Sequence, residues 1–403
     1  MLTPGQMEEI PERFARIMSD MEMNIMTDVI MRIKKNGQIT STADYELLRM
    51  AEFTGFNADL TKYMHEALNL SDKQIANIYD DVIASDYVRD KTLYESCGKQ
   101  LIPFKENEPL QNLISAVKEQ THDQIRNITQ TTALQEKIGN TYRSTPTSDY
   151  FKDRLDDAVT KVMAGTNTLD QVIKETAHDM ASRGMRTIDY SSGIARSVES
   201  VARAAVSTGL HQITGHIAEQ NMEKLDTKFV EVSWHIGARN LGTGPMNHQE
   251  WQGKVYYYDK SNPMADIKVN GTLYQSLVKK TGYGSVEGLF GVNCRHTMWP
   301  FVLGVSTRLY TNEQLDDMNY KENQEKRYYG KEYDTYHAMQ HMRALERYIR
   351  NTRKELKLLK SAGLTEDPDY LNMKAKWREA NRQYKDFAKQ MGLQEQRQRI
   401  YDI

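Results

Sequence analysis

The chain has 403 residues, of which 39% are hydrophobic and 27% charged, and its net charge is −2. This composition is typical of a folded globular protein and excludes a disordered chain. The length suggests two or three domains. No run of about 18 apolar residues occurs, so we expect no membrane span.

The first residues, MLTPGQMEEIPERF, lack a basic segment followed by an apolar one, so we expect no secretory signal. The two cysteines, Cys97 and Cys294, lie far apart in the sequence. This spacing argues against a disulfide scaffold and is compatible with a reducing cytoplasm.

The charge is distributed unevenly. From Lys321 to the end there are 19 Lys and Arg against 13 Asp and Glu, a net charge of +6. The first 320 residues therefore carry −8. A basic C-terminal region could contact nucleic acid or an acidic protein. The mixture of both signs is more typical of solvated helix faces, and we favour that interpretation.

The first 130 residues predict packed helices. Apolar residues at 10–29 recur at spacings of three and four, which places them on one face of a helix. Gly37 would end this helix. Ser41 and Ser71 each begin a capping pattern, so the sequence predicts that further helices start at both positions.

Residues 131–227 also predict helices. Apolar stripes with helical spacing lie at 155–162, 169–180 and 198–217. Such stripes belong to a hydrophobic core by default, so we assign them no chemistry. The sequence predicts a long-helix region here.

The character of the sequence changes at about Lys228. FVEVSWH indicates a strand at 230–235, because its apolar residues alternate with polar ones, and VYYY indicates another strand at 255–258. RHTMWPFV suits a strand that Pro300 places at a sheet edge. The glycine-rich TGYGSVEGLFG at 281–291 indicates a loop with several special backbone angles. Residues 228–305 therefore predict a compact α+β insert.

The C-terminal region carries two seams of the coiled-coil type. Apolar residues at 342–359 and again at 370–391 are spaced alternately by three and four. Gly363 and the Asp367–Pro368 pair suit the end of one helix and the start of the next. The two seams predict an antiparallel helical hairpin.

The predicted fold class is therefore mainly α with a small α+β insert. We divide the chain into an N-terminal helical region, a long-helix region, a compact α+β domain that carries the motifs discussed below, and a linker with the C-terminal hairpin. These regions span residues 1–130, 131–227, 228–305 and 306–403.

The α+β insert gathers four side chains that can bind a metal: His235, His248, Cys294 and His296. Cys294 and His296 would share one face of a strand. One thiolate and three imidazoles could complete a tetrahedral zinc site, although their spacing matches no recognised zinc pattern. In the alternative, the histidines bond to loop backbone and Cys294 is buried as a small hydrophobic residue. The sequence favours this alternative.

An enzyme is a further alternative. His235, His248 and Arg295 could serve a nuclease-like site in which Arg295 stabilises a phosphate. A Cys294 nucleophile would need a base, but strand geometry would separate the Cα atoms of Cys294 and His296 by about 6–7 Å. No phosphate-binding loop and no HExxH motif occurs. The sequence therefore favours a protein that is not an enzyme.

Four strings carry a family resemblance: VSWHIGARN at 232–240, HQEWQGKVY at 248–256, TGYGSVEGLFGVNCRHTMWPFVLGVS at 281–306 and YHAMQHMRALERYIRNTRKEL at 336–356. In order and separation they resemble the phage minor capsid protein 2 family. These are portal-associated minor head proteins of tailed phages, distantly similar to Mu F-type head morphogenesis proteins. One departure is the link at 240–247, which is longer than the family pattern.

The resemblance implies a structural head protein at the portal vertex or inner capsid, which acts in head assembly, DNA packaging or ejection. It implies the portal and major capsid proteins as partners, with packaged DNA as a further partner through the basic C-terminal region. It also implies assembly in the host cytoplasm and location in the virion, and it supplies no catalytic residues. The family's signature residues fall at His235, Arg239, His248, Trp251, Asn293, Cys294, Arg295 and His296.

Overall fold

The computed structural model describes residues 3–37, 42–138, 141–188, 195–291 and 293–400. Its helices are α1 (Pro4–Asn36), α2 (Thr42–Ser96), α3 (Glu108–Gln130), α4 (Thr147–Met163), α5 (Leu169–Arg183), α6 (Val198–Leu225), α7 (His248–Trp251), α8 (Leu277–Thr281), α9 (Asn312–Glu322), α10 (Thr335–Ser361) and α11 (Pro368–Met391). Its strands are β1 (Thr132–Ile138), β2 (Thr141–Pro146), β3 (Met185–Ile188), β4 (Ala195–Ser197), β5 (Phe229–Val232), β6 (Val255–Tyr257), β7 (Ile267–Val269), β8 (Thr272–Tyr274), β9 (Met298–Pro300), β10 (Lys326–Tyr328) and β11 (Lys331–Tyr333). The predicted fold class, mainly α with a small α+β part, is confirmed.

Compactness divides the chain into two units, each assembled from three segments. Unit 1 comprises Met1–Glu12, Lys73–Asp123 and Ala204–Gln340. Unit 2 comprises Arg13–Asp72, Gln124–Arg203 and His341–Ile403. The division into four sequence regions stays a prediction. Across the described ranges, none of the helices combines the length and apolar character that a bilayer-spanning segment needs.

The N-terminal helices confirm one prediction and correct another. The apolar stripe of α1 is buried, with four members at most 2% exposed: Phe14, Met21, Ile25 and Val29. The helix start at Ser71 is wrong, because α2 runs unbroken through it for 55 residues. The Ser71 hydroxyl instead donates to the Ala67 carbonyl at 2.8 Å, four residues earlier in the same helix. The predicted start at Ser41 lies outside the described residues.

Unit 2 contains an antiparallel sheet in the order β2-β1-β3-β4, where the sequence predicted only helices. That prediction was wrong for the four strands, although α4, α5 and α6 match the predicted stripes. In β1 the consecutive residues Thr132, Ala133 and Leu134 are all buried. A strand buried on both faces shows no alternation of apolar and polar residues, so its sequence does not distinguish it from a helix.

Unit 1 contains a three-stranded antiparallel sheet in the order β6-β5-β9. Val230 lies opposite Pro300, and β9 is an edge strand, as predicted for a strand with proline. Strands β5 and β9 are both shorter than predicted, because β5 ends at Val232 and β9 begins only at Met298. Cys294 and His296 therefore precede the strand, and the prediction that they share a strand face was wrong.

In unit 2, α10 and α11 form the predicted antiparallel hairpin. The ring of His341, early in the hairpin, lies 4.6 Å from the ring of Phe387, late in α11. The Tyr384 hydroxyl donates to the Glu346 carboxylate at 3.1 Å. Asp367 caps α11 by accepting a hydrogen bond from a backbone N–H of its first turn, as its position in the sequence predicted.

A buried ion network in unit 2 joins one residue from each of three helices. The ammonium of Lys354 on α10 lies 2.5 Å from Glu22 on α1 and 2.9 Å from Glu199 on α6. All three residues are at most 7% exposed. Burial opposes ionisation of Glu199, but the charges of Lys354 and Arg350 outweigh it and lower the pKa of Glu199 to about 2. Lys354 is thus the cation that the two carboxylates share, while Arg350 lies 3.6 Å from Glu199 alone.

We expect Lys354→Met to cost unit 2 about 3–5 kcal/mol of unfolding free energy, because it leaves buried carboxylates without their shared cation. Denaturant unfolding checks this value. The matched control is Lys360→Met in the last turn of the same helix, where the lysine is exposed and the expected change is within about 0.5 kcal/mol. Similar losses in the two variants would contradict a central role for the network.

We expect Phe387→Ala to destabilise the hairpin by about 3–5 kcal/mol, because the ring is fully buried and leaves a cavity. Leu371→Ala on the same helix is the control, since Leu371 is 50% exposed and should lose less than about 1 kcal/mol. Denaturant midpoints of both variants test the burial of the predicted seam. A Phe387→Ala protein as stable as the control would show that this side chain does not pack in the hairpin.

Candidate metal centre

Strand β5 and its extension position His235. The Ser233 N–H donates to the Thr297 carbonyl at 2.8 Å, and the Thr297 N–H donates to Ser233 Oγ at 2.9 Å. These bonds prolong the pairing of β5 with β9 by one residue. They hold the segment leading to His235 beside the segment containing His296, and the two rings lie 4.3 Å apart.

Helix α7 positions His248 and Trp251 at its two ends. Trp251 is fully buried, and its indole N–H donates to the Pro245 carbonyl at 3.2 Å. Its ring lies 4.6 Å from the rings of both His248 and His296. The Gly253 N–H then donates to the Ser233 carbonyl at 3.2 Å, which fixes the turn after α7 against β5.

The glycine-rich loop positions Cys294. Gly282 ends α8 in a left-handed conformation with a φ of +63°, one of the special backbone angles predicted for this loop. Gly288 and Gly291 are required for a different reason, because a Cβ at either position would lie within 2.3 Å of a backbone carbonyl oxygen. The Cys294 N–H donates to the Gly291 carbonyl at 3.1 Å, so the compact loop ends at the thiol.

The structure brings together three of the four predicted metal ligands. Ligand atoms of His248, Cys294 and His296 all lie within 4.8 Å of one another, and each residue is at most 5% exposed. The Cys294 Sγ lies 3.5 Å from His296 Nδ1. In a strand, Cys294 and His296 would be too far apart for direct contact. The two residues lie outside a strand, and their side chains converge. His235 lies beside the set without belonging to it.

Gln252, which the sequence analysis did not single out, orients two of the histidines. Its Oε1 accepts hydrogen bonds from the His235 backbone N–H at 3.1 Å and from His296 Nε2 at 3.0 Å. Because an amide oxygen only accepts, His296 carries its proton on Nε2. The lone pair on His296 Nδ1 is therefore available to Cys294. The only signal in the sequence is the position of Gln252 within the HQEWQGKVY string.

The other two histidines also donate to oxygen atoms. His248 Nε2 donates to the Glu287 carbonyl at 2.9 Å, and His235 Nδ1 donates to the Ile236 carbonyl at 3.0 Å. Each neutral ring keeps one nitrogen with a free lone pair. Cys294 meanwhile packs in an apolar cluster that includes Trp251 and Met298. These contacts match the alternative in which the four residues are satisfied without a metal.

Burial keeps the cluster in its neutral forms. It lowers the pKa of His248 to about 4, and together with the charge of Arg295 it lowers the pKa of His235 to about 3. Burial also places the pKa of His296 well below its usual value and raises the pKa of the Cys294 thiol to about 11. At neutral pH the site therefore presents imidazoles and a protonated thiol.

The residues of the nuclease alternative do not form a typical acid–base site. Arg295 is paired with Glu8 at 2.8 Å, and both side chains are largely buried. General acid–base catalysis at neutral pH requires pKa values near 7, whereas those of His235 and His248 are strongly lowered. No observation on these residues favours the nuclease alternative.

Comparison with known proteins gives a family match along nearly the whole chain. The family described as phage minor capsid protein 2 matches residues 2–389. A protein named "Structural protein" from Lactococcus phage LL-H is 23% identical over 283 residues, which cover 68% of this chain and 71% of that protein. No solved structure matches the chain. The matched range contains all segments of the candidate centre and nearly all of the C-terminal hairpin.

We expect Gln252→Leu to cost about 2–4 kcal/mol of unfolding free energy, because it removes the acceptor shared by two donors and Gln252 is 1% exposed. Gln275→Leu is the control, since Gln275 is an exposed glutamine of the same unit and should change stability by less than about 0.5 kcal/mol. Denaturant unfolding distinguishes the two variants. Equal stabilities would show that the Gln252 oxygen does not hold the histidines.

Proposed function

The chain belongs to the phage minor capsid protein 2 family, and on this premise we propose that it occupies the portal vertex or the inner surface of a phage head. It is a structural head protein of a tailed phage or prophage. The match over residues 2–389 is the observation that carries this conclusion, because it covers most of both units and the motif segments of unit 1.

We propose the portal protein and the major capsid protein as its partners. The family description supports this proposal, since a minor capsid protein is a component of an assembled head. A minor component of the capsid suits a restricted location such as the portal vertex. From there it would act in head assembly, DNA packaging or ejection.

A non-enzymatic role is supported by the chemistry of unit 1. Its histidines are neutral and hydrogen-bonded, Arg295 is paired with Glu8, and Cys294 is buried in the core. Buried and mutually satisfied side chains suit a protein whose role is to hold a shape and present surfaces. An active site would instead need polar groups that converge on an open pocket.

Contact with packaged DNA is a finer part of the proposal. The net charge of +6 in the C-terminal region overstates the available positive charge, because Arg350 and Lys354 pair with Glu199, a carboxylate outside that region. Exposed basic side chains remain on α11, and three of them, Arg378, Lys385 and Lys389, share one face of the helix. This face could lie against phosphates, in a contact that would weaken as salt increases.

We expect the chain to co-purify with virions and with DNA-free procapsids through density-gradient sedimentation, as detected by mass spectrometry. Deletion of its gene should reduce the yield of infectious particles, and a plasmid-borne copy should restore the yield. Proximity labelling in procapsids should mark the portal or major capsid protein. A chain absent from purified particles, or a deletion with normal infectious yield, would contradict the proposal.

The DNA contact is tested by the same preparation. The Lys385→Glu, Lys389→Glu double variant should enter heads normally but cross-link less to DNA in filled heads, while empty procapsids provide the background. Unchanged cross-linking would exclude DNA contact through α11 and leave the structural assignment in place.

A further inference from the structure

We propose that His248, Cys294 and His296 bind one zinc ion in unit 1. The proposal concerns the chain itself and does not depend on its position in the head. Three buried ligand atoms within 4.8 Å of one another carry it. The fourth position of the ion is assigned to a water molecule, because His235 lies outside the set.

The spacing of the ligand atoms fits the ion. With a Zn–S bond of about 2.3 Å and Zn–N bonds of about 2.0–2.1 Å, tetrahedral geometry separates sulfur and nitrogen ligands by about 3.6 Å. The Cys294 Sγ to His296 Nδ1 distance of 3.5 Å already has this value. Bringing the third ligand to tetrahedral spacing requires side-chain movement on the order of 1 Å. The backbone can stay where it is.

The histidines are already oriented as metal ligands. A metal-bound imidazole usually donates its other N–H to a carbonyl or carboxylate, which fixes the tautomer and the ring orientation. His296 does so to the side-chain oxygen of Gln252, and His248 does so to the Glu287 carbonyl. Each ring thus has one nitrogen with a free lone pair while the other is anchored.

A buried donor beside the cluster lacks an acceptor. Gln252 Nε2 has no hydrogen-bond partner within the part of the chain that the structure describes, although the residue is only 1% exposed. The His235 backbone N–H fixes the orientation of this amide, because it needs the amide oxygen, Oε1, as its acceptor. An unpaired buried amide nitrogen is costly.

The donor set selects the class of ion. One thiolate with two imidazoles suits zinc, whereas calcium and magnesium prefer oxygen ligands. The competing interpretation is a metal-free core in which the Cys294 S–H donates to His296 Nδ1. Both interpretations use the same contacts around the rings, so only metal binding separates them. When zinc binds, the thiol releases its proton to solvent and the sulfur becomes a thiolate ligand.

Such an ion would join two segments that are distant in the sequence. His248 lies at the start of α7, whereas Cys294 and His296 follow the glycine-rich loop. Zinc binding would therefore add directly to the stability of unit 1, since the unfolded chain does not hold these ligands together.

The test uses the full chain, purified without a histidine tag, stripped with chelator and reconstituted with one equivalent of zinc sulfate. After dialysis against metal-free buffer, elemental analysis should find about one zinc per chain. Cobalt substitution should give the near-ultraviolet charge-transfer absorption of a cobalt–thiolate bond. Both signals should be lost in Cys294→Ser and strongly reduced in His248→Gln and His296→Gln.

His235→Gln is the matched control, because His235 belongs to the same cluster but not to the ligand set; it should retain zinc. Circular dichroism identifies any variant that fails to fold, and the wild-type stoichiometry and cobalt spectrum then decide the question alone. Wild-type protein without bound zinc overturns the proposal, as does full retention in Cys294→Ser. Loss of zinc from folded His235→Gln overturns the assignment of three protein ligands.

Discussion

The side-chain oxygen of Gln252 is the acceptor on which the arrangement of the motif residues depends. It receives the His235 backbone N–H and the His296 ring N–H, and so connects the extension of β5 with the segment before β9. The paired backbone of Ser233 and Thr297 keeps these segments at the separation that one oxygen can bridge. As a result His296 has a single tautomer, with its free lone pair toward Cys294.

The hydrogen bonds to the buried histidine rings serve two purposes. Buried imidazoles need hydrogen-bond partners whether or not a metal is bound, because unpaired polar groups in a core are destabilising. A metal ligand needs those partners too, since they fix its orientation. The NCRH segment is therefore part of a compact core and, at the same time, an arrangement suited to zinc.

Much of the fold could be predicted from local sequence. The apolar stripe of α1 and the seams of the hairpin repeat over many turns, so the helical period is unambiguous. The sheet of unit 2 could not be predicted, because β1 begins with three consecutive buried residues, 132–134, which show no alternation of apolar and polar positions. The basic C-terminal region was read as solvated helix faces, yet Lys354 forms a buried pair with Glu22, 332 residues away in sequence. A pair of residues so far apart in the sequence produces no pattern among neighbouring residues.

The sequence by itself determined the family resemblance, the helical hairpin and the residue types that can bind a metal. The tertiary structure alone decided which of these residues meet. It ended β5 at Val232 and began β9 only at Met298, so that Cys294 and His296 could converge. It also left His235 beside the set and placed Gln252 between two histidines. The physical reason is that helical period and motif order are properties of neighbouring residues. Ligand convergence depends instead on contacts between segments as far apart as His248 and Cys294, which only the folded chain brings together.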